Sequence, residues 1–133
     1  YEAAGSTTDV QGNPITIGTQ IATGSYVGTG TYGASNPNTL TFEFEPKVFI
    51  FFGATDSNGT GVRAYDCSIV PFDYLTETYK AVYLDDGANT SSRCNMMKYS
   101  NHVLSWYYND PNYGGASYQN NASGLTYYYA AIG

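Results

Sequence analysis

The residues with the most chemistry to offer lie in one stretch, Trp106 to Tyr118, WYYNDPNYGGASY. It carries the only Trp of the chain and four Tyr, interleaved with Asn, Asp, Ser and Gly. Flat aromatic faces stack on apolar C–H surfaces, and the polar groups around them adapt their hydrogen bonds to a ligand. Trp106 sits in the alternating run VLSWYY, which marks it as a core residue. Tyr113 and Tyr118 stand among Gly, Asn and Asp, which favours exposure. A second loop, Ala54 to Gly61, reads ATDSNGTG. Together these loops predict a binding surface at one end of a rigid scaffold. In it Tyr108, Tyr113 and Tyr118 stack on the ligand, while Asp56, Asn58, Asn109, Asp110 and Asn112 accept hydrogen bonds from its hydroxyls. The loop Asp85 to Ser92, DDGANTSS, is the next candidate.

Catalytic groups are scarce. The single histidine, His102, follows Asn101 in a turn-like position, where a lone His is more often structural than catalytic. Glu43 and Glu45 project from one strand face roughly 6–7 Å apart, within the range of glycosidase carboxylates. Alternating Glu is also the ordinary solvent face of a half-buried sheet, and that reading is the stronger. The sequence holds no G-x-S-x-G, metal-binding His cluster or phosphate-cradling Gly loop. Asp56 to Gly61 opens like a calcium loop, but its twelfth position is Cys67, where a bidentate Glu is required. Asp85 and Asp86 could bind an ion in their Gly-containing turn, though adjacent acids are more often simply solvated. No enzymatic activity, bound metal or cofactor is expected. Asn58, Asn89 and Asn121 begin Asn-x-Ser/Thr triplets, which a chain rich in these residues produces by chance.

The elements that must position these loops are strands. Fifteen Tyr, fifteen Gly and many Ser, Thr and Asn stand beside only 12% charged residues, with few helix formers. At 133 residues the chain fits one domain. A net charge of −6 repels polyanions, which argues against nucleic acid. No apolar run approaches the ~18 residues of a membrane span, so no membrane insertion is expected. Cys67 and Cys94 form either one disulfide or two thiols, with reduced thiols favoured because the framework is not disulfide-dense.

Residues 1–12 are polar and without periodicity, an arm or linker to something upstream, and residues 13–133 form the domain. Ile15, Ile17 and Ile21 suggest a first strand, and Ser25 to Tyr32 a Gly-spaced second one. Leu40, Phe42 and Phe44 alternate with polar residues until Pro46. Lys47 to Phe52, KVFIFF, is apolar on both faces and predicts a central, doubly covered strand. Phe42, Phe44, Val48, Ile50, Phe52 and Leu125 are expected to be buried together. Further strands are expected over Val62 to Val70, Thr78 to Leu84, Arg93 to Tyr99, His102 to Tyr108 and Leu125 to Ile132. The seventh and eighth of the nine form a hairpin across Ser100 and Asn101. About nine short strands with regular turns predict an all-β fold, an antiparallel β-sandwich or jelly-roll-like arrangement.

Three segments carry a family resemblance: GSYVGTGTYG, LTFEFEPKVFIFFG and the closing NNASGLTYYYAAIG. Together they resemble the distal, receptor-binding domains of phage tail fibres. The F-x-P turn into an apolar strand is also similar to H-type lectins, small sugar-binding β-sandwiches. The resemblance covers the first third and the last ten or so residues. It implies a non-catalytic adhesin at the fibre tip of a virion, acting at the host cell surface. Its expected partners are a bacterial surface glycan or protein receptor, and two further copies of itself in a parallel homotrimer. A carbohydrate-binding module of a bacterial enzyme, or a purely structural decoration domain, would have a similar composition.

Overall fold

The computed structural model describes residues 7–8, 10–15, 20–55, 58, 60–61, 67–84, 93–112 and 114–133. β1 (Thr7–Thr8) and β2 (Pro14–Ile15) pair antiparallel, a short ladder that begins inside the expected arm. The eight longer strands make two four-stranded antiparallel sheets. The first runs β3 (Ile21–Val27), β10 (Thr126–Ile132), β5 (Val48–Ala54), β6 (Ser68–Pro71). The second runs β4 (Asn38–Thr41), β9 (Val103–Tyr108), β8 (Asn95–Ser100), β7 (Lys80–Val82). The sheets do not close into a barrel, and the architecture is the all-β sandwich that the composition predicts.

An aromatic core joins the sheets. Phe49, Phe51 and Ala131 of the first sheet meet Met97, Leu104 and Trp106 of the second, with Phe42 and Phe72 closing one side. Phe51 meets Trp106 at 5.3 Å and Phe49 meets Phe51 at 4.6 Å, both edge to face, a geometry that aromatic quadrupoles favour. Trp106 is fully buried, as its place in an alternating run predicts.

The core differs from the expected one by a step of parity. β5 is an inner strand, but its buried side chains are Phe49 and Phe51, not Val48, Ile50 and Phe52. Val48 and Ile50 are half-buried on the opposite face, and Phe52 is 43% exposed. The register slips beside Phe52, where Phe51 pairs with Tyr129 and Gly53 with Tyr128. Such a bulge leaves one residue without a partner and re-aims its side chain. Phe44 is only partly buried against the core, and Leu125 is half-buried in the connection before β10.

Other strands shift for local reasons. β3 ends at Val27 instead of running to Tyr32: the Gly28 N–H still bonds the Leu125 carbonyl at 2.8 Å, but beyond it Thr29 and Thr31 bond to the Asn121 side chain in place of a ladder. A Cβ on Gly28 would overlap the Ala122 carbonyl oxygen, so only glycine fits there. Gly24 leaves room for the Tyr129 ring in the same way. The β8–β9 hairpin turns at Asn101 and His102, whose φ of 51° and 65° suit a two-residue turn of the hairpin type. Residues 16–19, 62–66 and 85–92, which carry parts of two expected strands and one expected turn, lie outside the described residues.

Strand direction divides the sandwich into two ends. Val27, Ala54, Val82 and Tyr108 finish their strands at one end, where Asn38, Ser68, Asn95 and Thr126 begin theirs. The four long connections, 28–37, 55–67, 83–94 and 109–125, therefore begin and finish at that end, the loop end. Ile21, Pro71 and the tight 101–102 turn lie at the other, the hairpin end.

Candidate functional site

Two buried side-chain amides build the loop end. Gln119 is fully buried just after α1 (Gly115–Tyr118), a single helical turn. Its Oε1 accepts from the N–H groups of Gly33 and Tyr108, each at 2.8 Å. Its Nε2 donates to the Asn36 carbonyl at 2.8 Å and to Asn38 Oδ1 at 3.1 Å. Two accepted and two donated bonds exhaust an amide's capacity. The Gln119 carbonyl in turn accepts from Trp106 Nε1 at 2.8 Å, tying the loop to the core.

Asn121 repeats the device two residues on. Its Oδ1 accepts from the Thr29 N–H at 3.0 Å, and its Nδ2 donates to the Thr31 carbonyl and Thr29 Oγ1, each at 2.8 Å. Its own carbonyl accepts from the Gly30 N–H at 2.7 Å. Residues 28–38, which make almost no ladder contacts, are thus held by residues some 80–90 positions away. Buried polar groups satisfied to this degree fix one conformation. Asn121 is therefore engaged and buried, so its Asn-x-Ser triplet is not presented on the folded surface.

This scaffolding frames a cleft of about 360 Å³ where the edge strands β3 and β4 approach one another. Tyr26 and Leu40 contribute apolar surface to its floor, with the fully buried Trp106 beneath them. Thr29, Thr31, Asn36, Asn38 and Asn121 supply a rim of hydroxyls and amides. The Tyr26 hydroxyl donates to the Asn120 carbonyl at 2.8 Å, and burial holds this phenol well above its ordinary pKa, so it stays neutral. No residue lining the cleft is charged. An aromatic-floored, uncharged, hydroxyl- and amide-rimmed cleft of this volume suits a neutral, hydroxyl-rich small ligand.

The residues chosen from sequence are distributed differently. Tyr108 is 1% exposed, its ring packed edge to face on Tyr118 at 5.4 Å, so its face is not offered to a ligand. It shares the parity of Leu104 and Trp106 in β9 and is buried for the same reason. Tyr118 is half-buried and lies over Gly114, where a Cβ would enter its ring. Asn109 accepts from the Cys94 N–H at 2.9 Å and serves as a strand-end staple. Asp110 pairs with Arg93 Nε at 3.2 Å and accepts from the Asn112 N–H at 2.8 Å, a local turn. Asn112 and Asn58 are exposed. Asp56 and Tyr113 lie outside the described residues, as do Asp85 and Asp86. The connections that carry these residues begin and end at the same end of the sandwich, where Tyr118 lines a small cavity with Phe51 and Leu84.

Sequence reasoning missed Gln119 and the cleft beside β4. Only the pairing of the GSYVGTGTYG and NNASG segments hinted at them, since the structure brings those two segments together. At the hairpin end, Glu45 accepts from the Tyr99 hydroxyl at 3.0 Å and pairs with His102 Nε2 at 3.1 Å. Those bonds give His102 a structural place in the turn. Cys67 is exposed and Cys94 buried, and the two are not joined in a disulfide. Among the described residues no three His, Cys, Asp or Glu come close enough to hold a metal. No family model, curated protein or solved structure matches this chain.

Proposed function

We propose that this domain is a non-catalytic adhesin that binds a neutral glycan of a bacterial surface through the cleft between β3 and β4. The observation that carries this reading is the cleft's chemistry: an apolar floor that includes the Tyr26 ring and an uncharged amide and hydroxyl rim, held by two buried, hydrogen-bonded amides. Sugars present both a C–H face and a ring of hydroxyls, and such a surface meets both. The resemblance to tail-fibre tips supplies the setting, a homotrimer on the virion that presents its loop end to the host cell. The strand order agrees with that orientation, because β3 starts at the hairpin end and the long loops lie at the other. Single cleft contacts are weak, and three copies on one fibre raise the effective affinity.

An array of bacterial surface polysaccharides and neutral oligosaccharides, probed with the chain and with Thr39→Arg, tests this reading. Thr39 is exposed on the cleft rim, so the substitution leaves the core intact while placing a bulky cation over the opening. Binding of neutral glycans that falls at least tenfold in a folded Thr39→Arg variant is the expected result. Equal binding by both proteins would move the site away from the cleft, and an array without any bound glycan would favour a structural decoration role.

A further inference from the structure

β3 and β4 are each the last strand of their sheet, and they flank one side of the sandwich without pairing to each other. The cleft at the loop end takes up only part of that side. A second cleft, of about 520 Å³, follows it toward the hairpin end. Its lining includes Ile21 and Ala22 of β3, Thr41 of β4, and Glu43, Phe44 and Tyr129. The two clefts adjoin. Leu40 lines the first and its neighbour Thr41 the second, while Ala22 and Tyr26 share the inward parity of β3 with Gly24 between them.

Tyr129 stands at the junction. It is the cross-strand partner of Gly24, and a Cβ on that glycine would press on the Tyr129 hydroxyl, so the ring folds over the bare edge strand. Its centroid lies 6.5 Å from that of Tyr26. The neighbouring inward tyrosines of this sheet have partners for their hydroxyls: Tyr26 donates to the Asn120 carbonyl, and Tyr127 accepts from the Ala122 N–H. No group among the described residues bonds the Tyr129 hydroxyl. A phenylalanine would cover Gly24 equally well, so packing alone does not account for that hydroxyl.

We propose that the glycan bound here is an extended polysaccharide, whose internal sugars run along the β3–β4 side through both clefts and meet the Tyr129 hydroxyl where the clefts join. This rests on the glycan reading of the first cleft and adds the length and charge of the ligand. A seven-residue strand such as β3 is about 20 Å long, which about four sugar rings of about 5 Å would span. Each cleft alone already has the volume of a small-molecule site, so a single sugar leaves most of the side unfilled. The open edge of β3 adds backbone donors and acceptors that no strand pairs, and these suit a row of hydroxyls. Among the residues lining the two clefts only Glu43 is charged, and it is exposed. It accepts from hydroxyl or amino groups and repels carboxylates and phosphates, so the polymer is neutral or amino-substituted and not acidic.

Calorimetric titration with oligosaccharides of increasing length, cut from a neutral bacterial surface polysaccharide that the array retains, tests the proposal. Affinity should rise at least tenfold from two sugars to about four and then level off, since the strand spans no more. Thr41→Arg sets a bulky cation at the second cleft from an exposed position, and in it the gain with length should vanish. Tyr129→Phe should keep the melting temperature, because the ring still covers Gly24, and bind the longer chains about three- to tenfold more weakly. Affinity independent of length, or a gain that survives Thr41→Arg, would overturn the extended site. If Thr39→Arg still abolished binding in that case, the first cleft would stand as the glycan site. Binding indifferent to both arginine variants, or absent at every length, would overturn both readings. Parental affinity for long chains in Tyr129→Phe would overturn the contact at the junction.

Discussion

The two ends of the sandwich are closed by opposite means. The hairpin end uses short turns and rings: Phe72 meets Tyr99 at 4.7 Å and Phe42 at 6.0 Å, with the Glu45, Tyr99 and His102 contacts on the surface above. The loop end uses amides. Gln119 and Asn121 replace the missing ladder of residues 28–38 with directional bonds to its backbone. Hydrophobic closure tolerates small shifts, whereas a saturated amide fixes donors and acceptors in place. The cleft proposed for glycan binding occurs where the second kind of support is.

The sharpest way to break this contrast is Gln119→Leu. It leaves the Gly33 and Tyr108 N–H groups and the Asn36 carbonyl without partners, at about 1–3 kcal/mol each. A fall of roughly 10 °C or more in melting temperature is expected by circular dichroism. A melt within two or three degrees of the parent would mean that the amide does not hold the loop end. Phe72→Ala comes next, at about 3–5 kcal/mol for a buried ring. Its effect should stay at the hairpin end, so hydrogen exchange of the Gly33 and Thr29 amides should keep its rank order among the protected groups. Equal loosening of both ends would erase the distinction between them.

Asn121→Ala is expected to cost less, about 1–3 kcal/mol, because the Gly30 bond to its backbone carbonyl survives. Faster exchange at Thr29, with the core amides unchanged, is the accompanying signature. The smallest effect is alkaline. Burial, then the hydrogen bond to Glu45 and its charge, push the Tyr99 phenol up to about 12, against about 10 in an unfolded chain. The proton is held more tightly in the folded state, so this contribution is complete below pH 10 and is lost as pH rises from 10 through 12. Urea midpoints across that window should fall more steeply for the parent than for Tyr99→Phe, and parallel curves would remove Tyr99 from the pH response.

Much of this fold is legible in the sequence. The alternation of Leu104 and Trp106 marks the core side of β9, and the same parity reaches Tyr108, whose burial could have been read there. KVFIFF announces a strand but not its face, because both parities are apolar and the face is settled by pairing with the distant β10 and by the bulge at Phe52. Gln119 and Asn121 look like ordinary loop residues. Their partners lie 80–90 positions away, and no local pattern separates a buried, saturated amide from a solvated one. The cleft was hidden for the same reason, since it exists only where two edge strands distant in sequence come together.

The most direct measurement is a map of backbone amide chemical shifts while the chain is titrated with a neutral oligosaccharide that it binds on the array. Perturbations should cluster at Thr29, Thr31, Asn36, Asn38, Thr39 and Leu40, with the Trp106 indole N–H moving in step. Perturbations confined to residues 55–61 and 110–118, with the cleft amides silent, would contradict the placement of the site between β3 and β4.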